Sequence, residues 1–339
     1  MLLFTAEEVE NTMESTNEIS LHQKLLLLPY AILPLTLAMV AYDLWSVSPF
    51  FKVHLPAEPD EWFLWPVLFN FPHIVGSTIT FLDKEYLRHY RYKLVQAICL
   101  AVILAVILPI LFGNAAAFIV MAFYTMYHVL MQQLGIAAMY AGGCGKKRFA
   151  VLKWSAVIAA GFLLLLIYGK LFFSPAQCIL LQFGIRTLSV IACVAGIAII
   201  VMLLRRNTPM RSVIYFTATI LIIPTSLLMY EMGYPAFTIM IPRVVHDITA
   251  YLVYATHDHN RNRMQTKNLL YRLPLLKSIS PGLLCVPLSM TISYLFVYYH
   301  GKFLIVTYAM FSLMFFHYYM EGVMWKKGAL HRSYVSFKS

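Results

Sequence analysis

Ten stretches of apolar residues, each about 20 residues long, constrain this chain more than any other feature of its sequence. Runs of this length match the thickness of a bilayer core when they are helical, because a helix rises about 1.5 Å per residue. Gly113 and Asn114 lie between the third run and the fourth, which predicts a tight turn there. The approximate limits are 25–47, 62–83, 94–113, 115–140, 149–173, 177–204, 212–230, 235–258, 280–299 and 303–325.

The composition supports a membrane protein. Hydrophobic residues make up 60% of the 339 residues and charged residues 12%, and the mean hydropathy is +0.72. A soluble domain carries about 25% charged residues. A chain this apolar cannot cover a soluble surface, which excludes a soluble globular enzyme, a disordered chain and a secreted disulfide scaffold. Strands of a β-barrel would alternate in polarity over about 10 residues. We therefore expect an all-α, polytopic transmembrane bundle of about ten helices.

The basic residues predict how the bundle is oriented. Of the 26 Lys and Arg residues, 21 fall in the two tails and in the loops that follow even-numbered runs. Lys52, Lys170 and Lys302 lie on the other side, and Arg186 and Arg243 lie within runs. Since loops rich in Lys and Arg stay in the cytoplasm, we expect both termini there. The net charge of +11 then needs no nucleic-acid partner, and the bilayer is the expected partner.

The same pattern predicts the domain organisation. We expect a polar, acidic tail over 1–24, one integral membrane domain over 25–325 and a basic tail over 326–339. The polar first 20 residues do not resemble a signal peptide. Together with the short loops, this favours a bacterial inner membrane.

Four histidines inside the apolar runs are the main candidate functional residues. His73, His128, His246 and His317 lie in the second, fourth, eighth and tenth runs, which all cross in the same direction. Each lies roughly 12–18 Å before the inner end of its helix, at 1.5 Å per residue. Since polar groups inside a bilayer are costly, four of them at one depth predict a cluster on facing helices.

Helical periodicity and two nearby carboxylates add to this pattern. Asn70 and Ser77 share the helix face of His73, and Gly135 shares the face of His128. Asp247 directly follows the histidine of the eighth run.

Glu321 lies one turn after His317. Imidazole with carboxylate suits iron, zinc or copper. We therefore predict a buried site for a transition metal, with iron favoured, in which the four histidines are ligands. Asp247 and Glu321 are the candidate carboxylate ligands or catalytic groups.

A second group of polar residues ends the eighth run. His257 and His259 lie there, three turns or roughly 16 Å beyond His246, so they cannot bind the same ion. They are candidates for a second metal or for a site that binds a substrate head group. The alternative is a solvated helix end followed by a basic loop on anionic lipid.

Single histidines on separate membrane helices resemble the layout of membrane-bound non-haem iron oxygenases. That group includes desaturases, hydroxylases and the bacterial carotene-cleaving dioxygenases. The HxxxH and HxxHH boxes of desaturases are lacking, and the nearest local features are the segments 257–259 and 317–321. The carotene-cleaving enzymes also place single histidines on separate helices. The resemblance implies iron, dioxygen and a lipophilic substrate that enters from the bilayer.

Two functions follow from these features. The first is a metal-dependent oxygenase or hydroxylase that acts on a lipid or isoprenoid. The second is a proton- or ion-coupled transporter in which the same histidines form a relay, since His titrates near neutral pH. Polar packing between helices and a lipid-modifying transferase are further interpretations. For Arg186 and Arg243 we expect pairing with Glu231 or Asp43.

Overall fold

The computed structural model describes residues 18–56, 61–62, 64–169 and 172–338. Most of the expected acidic tail, and also Lys170, lie outside these residues. Within them the all-α helical bundle predicted from the apolar runs is confirmed. The α-helices are α1 (Gln23–Leu27), α2 (Ile32–Trp45), α3 (Phe50–His54), α4 (Leu64–Leu68), α5 (Phe71–Thr80), α6 (Lys84–His89), α7 (Arg91–Val102), α8 (Leu108–Tyr140), α9 (Lys146–Tyr168), α10 (Pro175–Arg205), α11 (Met210–Glu231), α12 (Pro235–Asn262), α13 (Pro281–His300) and α14 (Leu304–Met324).

In the described part of the chain, seven helices are long and apolar enough to cross a membrane. Five of them are α9 to α13. The sixth, Gln23–Trp45, joins α1 to α2 through the 3-10 turn Leu28–Ala31, and the seventh, Arg91–Tyr140, joins α7 to α8 through the π-helical turn Ile103–Ile107. The sequence predicts ten spans. The differences lie at the second run, at the junction of the third and fourth runs, and at α14, whose His, Tyr and Glu residues make it more polar.

The second predicted run, 62–83, does not form one continuous helix. The structure divides it into α4 and α5, with Asn70 between them at φ 70° and ψ −72°, the centre of a γ-turn in which the N–H of Phe71 donates to the carbonyl of Phe69. Pro72 has no N–H to donate to the preceding turn, and in a continuous helix its ring would clash with the carbonyl one turn earlier. At the start of α5 the same residue fits without cost. The expectation of a single span is therefore wrong, and α5 is a short, almost fully buried helix.

The third and fourth runs meet at Gly113. Its φ of 83° and ψ of 165° are non-helical inside the stretch Leu108–Tyr140. Residues with a side chain rarely adopt this φ, whereas glycine does so at little cost. The break falls where the sequence predicts a turn.

Helix α12 lies at the centre of the bundle. In its most apolar stretch of 18 residues 72% of the residues are buried, the largest share among the seven candidate spans, and the helix contacts α5, α8, α11 and α13. Helix α14 packs against α5, α7, α8 and α13. The helices that carry the four candidate histidines therefore lie side by side, with their polar residues directed at one another.

Two short parallel strands join the ends of the described chain. Strand β1 (Ser20–His22) pairs with β2 (Ser336–Lys338), with Ser20 opposite Ser336. Asn260, near the end of α12, holds this pair by donating to the carbonyls of Ile19 and Tyr334 at 2.8 and 2.9 Å. Both ends therefore lie on the same side of the bundle.

Of the two arginines within predicted runs, one forms the expected ion pair. Arg186 donates to both oxygens of Glu231 at 2.8 Å, so that pairing is confirmed. Asp43 instead accepts from the backbone N–H groups of Phe51 and Lys52. Arg243 donates to the side chain of Asn70 rather than pairing with Asp43.

Candidate metal centre

The four histidines predicted to cluster lie together in the core. His73 is on α5, His128 on α8, His246 on α12 and His317 on α14, and none is more than 5% exposed. The imidazole centroids of His73 lie 4.8, 4.9 and 6.2 Å from those of His246, His317 and His128. His128 is 4.7 Å from both His246 and His317. Residues up to 244 positions apart in the chain thus converge, as their common depth predicts.

The imidazoles face one another through their Nε2 atoms. Nε2 of His246 lies 3.2 Å from Nε2 of His73, and Nε2 of His317 lies 3.1 Å from Nε2 of His128. Adjacent ligands of a tetrahedral ion with metal–nitrogen bonds of about 2.0–2.1 Å lie about 3.3–3.4 Å apart. The observed separations are close to that value. A shared cation would use the lone pairs of both nitrogens in each pair, whereas a hydrogen bond would use one.

Hydrogen bonding at the far nitrogen defines the tautomer of His317. Ser77 donates its single hydroxyl proton to the carbonyl of Ile74 at 2.7 Å. Nδ1 of His317 lies 2.6 Å from the same hydroxyl oxygen. Since that oxygen can then only accept, Nδ1 carries the proton and the Nε2 lone pair faces the other histidines.

Asp247 supplies a carboxylate to the cluster. Its Oδ2 accepts from the backbone N–H of Asn70 at 2.7 Å. Its Oδ1 lies 3.0 Å from Nδ1 of His73 and 4.0 Å from Nε2 of His246. Oδ1 is fully buried and has no hydrogen-bond partner among the described residues, because the contact with His73 is misaligned. A buried carboxylate oxygen in this state fits a bound cation.

The break between α4 and α5 positions this carboxylate. At the γ-turn, Asn70 donates its backbone N–H to Asp247, and its side-chain oxygen accepts from Arg243. Arg243 lies one turn before Asp247 on α12. One residue at the helix break therefore links α5 to Arg243 and Asp247 of α12.

Glu321 lies at the edge of the cluster. Its Oε2 is 3.6 Å from Nδ1 of His128 and its Oε1 is 3.9 Å from Nε2 of His317. Tyr254 donates to Oε1. At these distances Glu321 is better placed to orient His128 than to share its ligand position.

Two sets of three residues have potential ligand atoms that all lie within 4.8 Å of one another. The first set is His73, His128 and His317, and the second is His73, His246 and Asp247. Because His73 belongs to both, the geometry fits one ion or a close pair of ions with His73 at their junction.

The structure places His257 and His259 apart from this cluster. Nδ1 of His257 lies 2.9 Å from Oδ1 of Asp258, and its Nε2 lies 2.9 Å from the hydroxyl of Tyr86. Both nitrogens of His257 are therefore occupied by protein groups. His259 is half-buried and belongs to neither set of potential ligands.

Sequence reasoning missed the partner of His257. His331, in the 3-10 turn His331–Tyr334, stacks on the His257 ring at 4.9 Å and on the Tyr86 ring at 3.9 Å. We refer to His257, Asp258, Tyr86 and His331 as the His257 cluster. No signal in the sequence points to His331, because it lies in the basic tail beyond the last apolar run.

A cavity of about 350 Å³ opens beside His128, one of the four histidines, and beside Glu321. It extends between α8 and α14 towards the end of the bundle where β1 and β2 pair. Its lining residues are Tyr127, His128, Met131, Gln132, Gly135, Ile136, Met139, Val253, Tyr318, Glu321, Gly322, Trp325, Lys326, Arg332 and Phe337. The centre is therefore adjacent to a space large enough for a small ligand, since ligand pockets start at about 300 Å³.

Comparisons with protein-family models, with curated proteins and with solved structures find no match to this chain.

Proposed function

We propose that this protein is a metal-dependent membrane oxygenase or hydroxylase whose metal, of the iron type, is bound by His73, His128, His246 and His317. The observation that carries the proposal is the pair of Nε2–Nε2 contacts at 3.2 and 3.1 Å in a fully buried site. The unpartnered Oδ1 of Asp247 next to them supports it. Without a cation, each Nε2 pair forms at most one hydrogen bond, and Nδ1 of His73, Nδ1 of His246 and Oδ1 of Asp247 stay buried without a partner among the described residues, at a free-energy cost.

The donor set limits which metals fit. Several imidazoles and a carboxylate suit iron, zinc or copper, whereas Mg²⁺ and Ca²⁺ prefer oxygen ligands. An iron ion there would supply dioxygen chemistry: one oxygen atom enters a C–H bond and the other leaves as water, with two electrons and two protons from an external donor. The residues of the chain hold the ligands in place, and the surrounding helices exclude bulk water.

The proposed membrane orientation rests on charge and topology together. Twenty-one of the 26 basic residues lie in the two tails and in the loops that follow even-numbered apolar runs, and the two ends of the described chain pair with each other. We place these tails and loops in the cytoplasm, following the preference of Lys and Arg for cytoplasmic loops, and the protein in a bacterial inner membrane. The cavity beside His128 would then receive a lipophilic substrate, a lipid or an isoprenoid.

The decisive experiment is the metal content of the purified protein. Wild type, purified in detergent without chelators, should contain about one or two equivalents of a transition metal, as measured by elemental mass spectrometry. His128→Ala and His317→Ala each remove a nitrogen from one Nε2 pair and should lose most of that metal. His54→Ala is the control, since His54 is an exposed histidine on α3 far from the cluster in sequence.

Gel filtration of each variant separates loss of metal from loss of folding. Less than about a tenth of an equivalent in monodisperse wild type would overturn the proposal. Equal metal content in folded His128→Ala and wild type would do the same. If metal-free wild type transported protons together with an ion or a solute, the transporter interpretation would replace the oxygenase interpretation.

A further inference from the structure

The cavity beside the metal centre is lined by one continuous stripe of α8. The stripe begins at His128 and ends at Met139, with Met131, Gly135 and Ile136 between them. His128, Met131, Gly135 and Met139 follow one another at intervals of three or four positions, and Ile136 is adjacent to Gly135, so these residues occupy one helix face. Eleven residues of helix separate the two ends, which is about 16 Å. The cavity is therefore elongated, with the metal centre at one end.

The other end of the cavity is positively charged. Lys326 and Arg332 both line it, and Arg332 lies 3.3 Å from Sδ of Met139 and 3.3 Å from the carbonyl of Trp325. Among the residues that the structure describes, neither cation is within ion-pair distance of a carboxylate. The guanidinium has five N–H groups, so donors remain beyond its two contacts. This end can bind an anionic group.

Two glycines in the cavity wall leave the space in front of them open. Gly135 on α8 and Gly322 on α14 both line the cavity, and a Cβ added at either would meet nothing within 4 Å. Glycine inside a helix costs about 1 kcal/mol relative to alanine. Packing does not require small residues at these two positions, because the space in front of them is empty. The space itself is therefore the feature that these glycines preserve.

From these features we infer that the cavity binds a single-chain amphiphile with an anionic head, whose head contacts Lys326 and Arg332 and whose chain extends along α8 to the metal centre. This inference rests on the proposed function, because it names the substrate class for that centre. The volume of about 350 Å³ accommodates one chain rather than the two of a phospholipid. An extended chain advances about 1.2 Å per bond, so the atom that reaches His128 lies roughly a dozen bonds from the head.

The test measures saturable binding of radiolabelled hexadecanoate to the detergent-purified full chain. Hexadecan-1-ol, which has the same chain without the charge, is the matched ligand. Wild type should bind hexadecanoate at least about tenfold more tightly than the alcohol, the loss expected for one hydrogen bond to a charged group. Arg332→Ala combined with Lys326→Ala should remove this preference. Lys327→Ala, next to the cavity lysine but outside the lining, should retain it.

A second variant tests the cavity independently of charge. Gly135→Leu fills the empty space and favours the helix, so it should fold and keep its metal but bind both ligands at least about tenfold more weakly. Gly301→Leu is the control, since its added Cβ also meets no atom and Gly301 does not line the cavity.

Three results would overturn the inference: equal affinity of wild type for acid and alcohol, undiminished binding by Gly135→Leu, or full competition by the two-chain lipid phosphatidylglycerol. Metal content is measured on the same samples. Wild type with metal but without selective binding refutes this inference alone, whereas wild type without metal refutes the proposed function.

Discussion

Helix α12 carries two histidines in two contrasting environments. His246 and His257 are both about 99% or more buried, three helical turns apart. At His246 the nearest polar atoms are another imidazole nitrogen and a carboxylate oxygen that accepts no hydrogen bond. At His257, Asp258 forms a hydrogen bond with Nδ1 and the Tyr86 hydroxyl forms one with Nε2. Burial is therefore common to the two histidines, and the difference lies in their nitrogens: Nδ1 of His246 has no hydrogen-bond partner among the described residues, whereas both nitrogens of His257 have one.

This difference separates a binding role from a structural one. A buried polar group without a partner costs about 1–3 kcal/mol, and a satisfied one contributes about 1 kcal/mol. The His257 cluster thus stabilises the end of the bundle at which β1 and β2 pair. If the cluster around His246 binds a cation as proposed, the ion adds its binding free energy to the folded state, and metal binding and stability are linked.

The largest expected effect is that of Asp247→Asn. The substitution keeps the shape of the side chain and removes the negative charge that faces His73 and His246. We expect metal affinity to fall at least about ten- to hundredfold, the range seen when a supporting group of a metal site is lost. Metal content measured after dialysis against graded chelator concentrations checks this.

Asp258→Asn is the matched change in the His257 cluster. It removes a charge that contacts His257 and the Tyr271 hydroxyl, so thermal unfolding should show a loss of about 1–3 kcal/mol. Its chelator titration should coincide with that of wild type. If Asp258→Asn lost metal and Asp247→Asn did not, the assignment of roles to the two clusters would be reversed.

A smaller contrast comes from the two hydroxyls that contact these histidines. Ser77→Ala removes the group that holds the proton of His317 on Nδ1, so metal affinity should fall by about tenfold. Tyr86→Phe removes one hydrogen bond to His257 and should cost about 1 kcal/mol of stability without changing metal affinity. Metal affinity and thermal unfolding are measured for both variants. A metal loss in Tyr86→Phe equal to that in Ser77→Ala would show that the clusters are coupled rather than separate.

The sequence predicts the convergence of the four histidines better than it predicts the helix break and the tail contacts around them. Depth and helix periodicity correctly bring His73, His128, His246 and His317 together, because a helix turns a position in sequence into a height and a face. The ion pair of Arg186 follows from the same reasoning. These are properties of single helices crossing in known directions.

The features that sequence reasoning missed depend on contacts between segments. The break at Asn70 is local, yet its role appears only when its backbone N–H meets Asp247 on another helix. His331 reaches His257 because the C-terminal tail folds back onto the bundle, and no periodicity encodes that return. The cavity likewise arises from the packing of α8 against α14. Counting apolar runs overestimated the continuous spans in part because the second run breaks at Asn70 into α4 and a short α5 that its protein neighbours bury.

The smallest expected effect concerns pH and the tail. Burial, followed by the neighbouring His257 and Arg261, holds the pKa of His331 well below its usual range. The folded chain therefore keeps this imidazole neutral at a pH where the unfolded chain, with a pKa of about 6.5, takes up a proton. Stability contributed by His331 is complete above pH 6.5 and is lost as the pH falls below it, by about 1 kcal/mol near pH 5.5.

His331→Phe keeps the ring stack but cannot titrate, so its thermal unfolding should depend less on pH than that of wild type between pH 7.5 and 5.5. The difference between the two proteins isolates the contribution of His331, because every other titratable group is common to both. Identical pH dependence in wild type and variant would mean that the C-terminal tail stays bound to the His257 cluster whether or not His331 is neutral. The contrast with the candidate metal centre would then rest on hydrogen bonds alone.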